Sequence, residues 1–186
     1  MQMKGIAGAL CLLLCVATGK ACGQAVRVGR SAVMPGSTLG GSVSVTAAPA
    51  FVTFQLVPRG VAPSSSGVDV TTTWTGLTRL SRLNLYGFFS GGAAALSGGG
   101  SPAVNIPSFA VLGQVLTGSP LHYTPFTQSN PLSGSGASLL LYCELFLNGG
   151  TGSRTDTLNM EINLKDLPQL PAGAYNGVLY LQAQML

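Results

Sequence analysis

Between Thr155 and Leu164 the chain alternates strictly. Asp156, Leu158, Met160, Ile162 and Leu164 share one parity, and Thr155, Thr157, Asn159, Glu161 and Asn163 share the other. Side chains of a strand point to opposite faces in turn, whereas a helix would scatter these leucines around its axis. The segment therefore predicts a half-buried antiparallel strand. The last stretch repeats the pattern, with Tyr175, Gly177, Leu179, Leu181, Ala183 and Met185 on one face and Asn176, Val178, Tyr180, Gln182 and Gln184 on the other. Pro168, Pro171 and Gly173 lie between the two runs and force a bend no ladder can continue through.

Upstream, Ser138–Leu147 places Leu139, Leu141, Cys143, Leu145 and Leu147 on one side, which predicts a core face with a buried Cys143 thiol acting as a small hydrophobe. Further strands are expected at Ser42–Ala47, Phe51–Val57, Val68–Trp74 and Arg82–Phe89, with shorter ones near Phe109–Leu116 and His122–Phe126. Leu77, Leu80 and Leu83 recur at spacing three and predict a short helical turn. The Gly-rich piece Ser90–Pro102 reads as an irregular surface excursion. Seven or eight short strands joined by turns predict an all-β chain, an antiparallel sandwich.

The N-terminus has a different character. Lys4 precedes an uncharged apolar run from Gly5 to Thr18, too short to cross a bilayer but of the length of a secretory h-region. Small residues offer cleavage after Gly23 or after Ala25. The second is preferred, giving a signal peptide over 1–25 and one sandwich domain over 26–186. No later apolar run reaches spanning length, so no membrane span is expected after processing. Cys11 and Cys15 leave with the leader, and so does Cys22 if cleavage follows Ala25. Cys143 then stands alone, without a disulfide framework.

Composition narrows the function classes. Only 8% of residues are charged, so the polar surface must come from Ser, Thr, Asn, Gln and Gly, as in exported β proteins rather than helical cytosolic ones. Without the leader the arginines Arg27, Arg30, Arg59, Arg79, Arg82 and Arg154 are scattered, and no basic footprint for nucleic acid is formed. His122 is the only histidine, so a zinc site with two imidazoles is impossible; its pairing with Glu144 or Asp69 follows no metal-ligand spacing. Ser–His–Asp chemistry lacks a G-x-S-x-G elbow, and Gly98–Ser101 lacks the lysine of a phosphate loop. Acid pairs for glycoside chemistry would have to come from Asp69, Glu144, Asp156, Glu161 and Asp166. Arg154 and Asp156 read as a weak surface pair. No catalytic, cofactor or metal residue is assigned, and the chain is read as non-enzymatic. Trp74, Tyr86, Tyr123 and Tyr180 are the aromatic candidates for a sugar platform.

The closing segment SRTDTLNMEINLKDLPQLPAGAYNGVLYLQAQML, with YTPFTQSNPLSGSGASLLLY before it, resembles secreted pilin-like proteins of the spore coat U and archaic chaperone–usher type. The resemblance covers about Tyr123–Leu186, a third of the chain. It implies an immunoglobulin-like sandwich, export to the periplasm or cell surface, and self-association or a periplasmic chaperone through strand complementation. The donor segment it implies is Val26–Met34 (VRVGRSAVM). A stand-alone carbohydrate- or matrix-binding sandwich is the alternative.

Overall fold

The computed structural model describes the backbone of residues 24–30 and, in full, residues 41–98, 104–129 and 136–186. Two sheets face each other. In chain order the strands are β1 (Gln24–Arg30), β2 (Ser42–Ala48), β3 (Phe51–Phe54), β4 (Val61–Pro63), β5 (Val68–Leu77), β6 (Ser81–Phe88), β7 (Leu96–Gly98), β8 (Asn105–Ile106), β9 (Val111–Val115), β10 (Thr124–Pro125), β11 (Ser138–Phe146), β12 (Gly150–Asn163) and β13 (Tyr175–Met185). A 3-10 turn at Ser108–Ala110 is the one helical element among the described residues, and no helix there is long and apolar enough to cross a membrane.

One sheet runs β11-β6-β13-β1-β3, with β7 continuing beside β13 where β6 ends, and β8 pairing β7. The other runs β10-β9-β12-β5-β2, with β4 continuing along β12 beyond β5. Among the described residues all the ladders are antiparallel except one: β1 runs parallel to β13.

The long strand β12 shows how sequence becomes layer. Leu158 pairs with Val68 on one side and Val115 on the other, so β12 is central to its sheet. Leu158, Met160 and Ile162 are buried as their alternation predicts. Opposite them the second sheet contributes Leu83, Leu85, Leu139, Leu141, Leu179 and Leu181, also buried. Full burial of each such side chain is worth about 1.5–3 kcal/mol. Phe89 and Phe126 meet edge to face in the same core, ring centres 5.1 Å apart.

Several expectations are corrected. The leucines at spacing three belong to a hairpin and form no helical turn. Leu77 ends β5 and Leu83 lies in β6, both facing the core, while Leu80 occupies the tip with φ 62°. The Gly-rich excursion is stitched in: Ala95 and Leu96 are buried, and β7 pairs both β13 and β8. The largest correction concerns β11. Leu140 pairs with Tyr86 and Tyr142 with Leu85, which leaves Leu141 as a bulge. One extra residue in a strand turns every later side chain to the opposite face. Tyr142 and Phe146 therefore turn inward, and Cys143, Leu145 and Leu147 are exposed.

Candidate functional site

Three places carry residues of chemical interest: the β13–β1–β3 strip, a polar cluster between β11 and β12, and the outer face of the β5–β12 sheet.

In the strip, β1 lies between the last strand and β3. Ala25 to Arg30 run in parallel register with Asn176 to Leu181, and Gln24 to Arg27 run antiparallel to Phe54 to Phe51. Part of the expected donor segment, Val26–Arg30, thus lies in this ladder within its own chain; residues 31–34 fall outside the described residues. Gly177, in register with Val26, also packs under the Ala95–Leu96 crossing: a Cβ there would fall 2.2 Å from the Ala95 carbonyl oxygen. Only glycine lets the crossing approach so closely.

The polar cluster corrects the reading of a weak surface pair. Arg154 donates through Nε to Asp156 Oδ2 at 2.6 Å and through Nη2 to Asp156 Oδ1 at 2.8 Å, a bidentate contact. Thr117 Oγ1 donates to the same Oδ1 at 2.6 Å, and the Thr117 carbonyl accepts from Arg154 Nη2. The guanidinium lies over the Tyr142 ring, 4.4 Å from its centre. Asp156 is buried while Arg154 keeps about a third of its side chain in solvent. Burial, the largest single influence, pushes the Asp156 carboxyl up. The hydrogen bonds from Arg154 and Thr117 and the arginine's charge outweigh it and hold the group below its ordinary value. The Arg154 guanidinium is correspondingly raised, first by its hydrogen bond to Asp156. Ser119 N–H donates to the Leu141 carbonyl at 3.1 Å, so the loop after β9 ties one sheet to the other at this edge. The bulge at Leu141 is what delivers Tyr142 to the arginine.

On the outer face of the β5–β12 sheet the odd-numbered positions of β5 and β12 form hydroxyl rows with the even-numbered positions of β2. Thr46, Thr71 and Thr155 stand side by side, with Thr71 Oγ1 and Thr155 Oγ1 2.7 Å apart. Thr157 Oγ1 donates to Asp69 Oδ1 at 2.6 Å. Farther along, Glu161 is pushed up by burial, partly offset by Lys165, and Tyr123 is pushed up by burial and then by the Glu161 charge.

The remaining candidates stay apart. His122 is exposed, and its carbonyl accepts from Thr124 Oγ1 at 2.9 Å. Asp156 and Glu144 share Arg154, the first by hydrogen bonds and the second by charge, while Asp69 is held by Thr157, Glu161 lies near Lys165, and Asp166 is exposed. No three His, Cys, Asp or Glu residues gather to hold a metal among the described residues. Trp74 is buried against Phe146, ring centres 5.0 Å apart, and Tyr86 is buried too. Tyr180 stacks on Phe88 at 5.4 Å, and Tyr123 is exposed.

In comparison with known proteins, no family model matches the chain and no curated protein sequence is detectably similar to it.

Proposed function

We propose that this chain is an exported, non-catalytic structural or adhesive protein of a bacterial cell surface, with an N-terminal strand that can complete the sheet of a second copy. The observation that carries the reading is the place of Gln24–Arg30 between β13 and β3, a few residues after the apolar run Gly5–Thr18 in sequence. Ladder bonds are made by backbone and tolerate many sequences, so the same segment of another copy, or a strand of a periplasmic chaperone, fits the same slot. Without a strand there, β13 and β3 would present unpaired edges, which favour association. The C-terminal resemblance to pilin-like proteins and the charge-poor, hydroxyl-rich surface support the same reading.

The test is deletion of Gln24–Arg30 from the exported chain. The expected result is a protein that aggregates or oligomerises and returns to monomer when a peptide copying Gln24–Ser37 is added. A truncated chain that stays monomeric and ignores the peptide overturns the proposal.

A free carbohydrate- or matrix-binding module is the second reading. The exposed Tyr123 and the hydroxyl rows through Thr71 and Thr155 favour it. A glycan array with no hits, or hits unchanged by Tyr123→Ala, ends it.

A further inference from the structure

The end of the sandwich carrying the β5–β6 and β11–β12 turns is apolar and positively charged. Leu145 pairs across the sheet with Arg82, and Arg82 exchanges both backbone hydrogen bonds with Leu186 at 2.8 Å. Since Leu83 points into the core, these three neighbours point outward together. Leu80 and Leu147 stand just beyond the adjacent Ser81–Phe146 pair. Packing of Gly149 against the Leu77 carbonyl brings the two turns side by side, because a Cβ there would lie only 2.1 Å from that oxygen. Leu80, Leu145, Leu147 and Leu186 are 65%, 47%, 60% and 63% exposed, and so form one patch of water-facing leucines.

Arg79 and Arg82 are exposed within this patch, and among the described residues neither forms an ion pair with a carboxylate. The nearest acid along β11, Glu144, pairs in register with Leu83 and its charge acts on Arg154. An α-carboxylate on Leu186 would offset only one of the two guanidiniums.

We infer that this end docks onto an anionic lipid surface, the leucines entering the headgroup boundary and Arg79 and Arg82 meeting phosphates. Charge decides between occupants. Two copies placed end to end would bring four guanidiniums together, whereas an anionic bilayer attracts both from each copy. The leucines come from two turns, a strand and the residue after β13, and a fluid interface takes up such separate side chains without a shaped partner. This surface is distinct from the β1 slot, and the inference goes beyond the function proposed above.

The test uses the exported chain with an environment-sensitive fluorophore on the exposed Cys143, which shares the outward face of Leu145. The probes are vesicles of phosphatidylcholine alone and of phosphatidylcholine with phosphatidylglycerol. A blue shift and co-sedimentation are expected only with the anionic vesicles, weakening as salt is added. Arg79→Gln with Arg82→Gln should lower association about 25-fold, about fivefold for each charge. Leu80→Asn with Leu147→Ser should lower it about tenfold or more. Asparagine suits the positive φ of Leu80, and unchanged Trp74 emission reports an intact fold. Phe109→Ser, at another exposed hydrophobe, should change nothing. No binding, equal binding to neutral vesicles, or unaltered binding by either double variant overturns the inference. So does a concentration-dependent dimer abolished by the leucine changes, which would assign the surface to a second copy.

Discussion

Arg154 and Asp156, two residues apart on β12, hold each other by two hydrogen bonds at the edge where the sheets meet. The same-face spacing of a strand makes the contact geometrically natural. Its strength comes from elsewhere: Thr117 and the Tyr142 ring close around it and keep water from the carboxylate.

Removal of that carboxylate leaves Arg154 and the Thr117 hydroxyl without their acceptor. Asp156→Ala should therefore lower unfolding free energy by about 2 kcal/mol in urea titrations, moderated because the arginine is partly solvated. Arg154→Ala should cost more than a surface arginine such as Arg59→Ala, because it strands a buried anion.

The same pair predicts an acid limb. The folded-state pKa of Asp156 lies below its unfolded value, so its contribution is complete above about pH 4 and is lost as pH falls through the folded value. Glu161, raised by burial, acts with the opposite sign and gains relative stability on protonation. Urea midpoints measured between neutral and strongly acid pH should fall in the wild type, and the fall should flatten in Asp156→Asn.

The bulge at Leu141 makes Cys143 a surface thiol. It should react with a thiol reagent under native conditions as completely as in denaturant, with the modified site located by mass spectrometry. A core thiol would stay protected until unfolding. In the same region Tyr142→Ala should lose about 3 kcal/mol, since the ring is buried under Arg154.

Gly177→Ala should destabilise the fold by about 1–3 kcal/mol, because the new methyl meets the Ala95 carbonyl. Gly173→Ala, where a Cβ meets nothing within 4 Å, should fall within about 0.5 kcal/mol of wild type. Differential thermal melts of the pair would check both.

If the chain is exported as proposed, its processed N-terminus should be Gln24. Gln24 and Ala25 pair with Phe54 and Thr53, so cleavage after Ala25 would discard two rungs of the ladder. Intact mass of the exported protein distinguishes the two sites.

What the one-dimensional pattern held was local. The alternation of Leu158, Met160 and Ile162, and of Tyr175 through Met185, is a property of neighbouring residues, and it was enough to predict strands, their buried faces and a two-sheet core.

The rest depended on contacts between residues far apart in the chain. Nothing near Leu141 in sequence announces that its partner strand will skip a residue, yet that skip turns Cys143 outward and Tyr142 inward. Thr117 reaches Asp156 across 39 positions, and Leu145 and Leu186 come to flank Arg82 only because β6 lies between their strands. Periodicity reports which way a side chain points relative to its neighbours. Register, bulges and the parallel seating of β1 against β13 are set by which strands find one another, and that is decided only when the whole core closes.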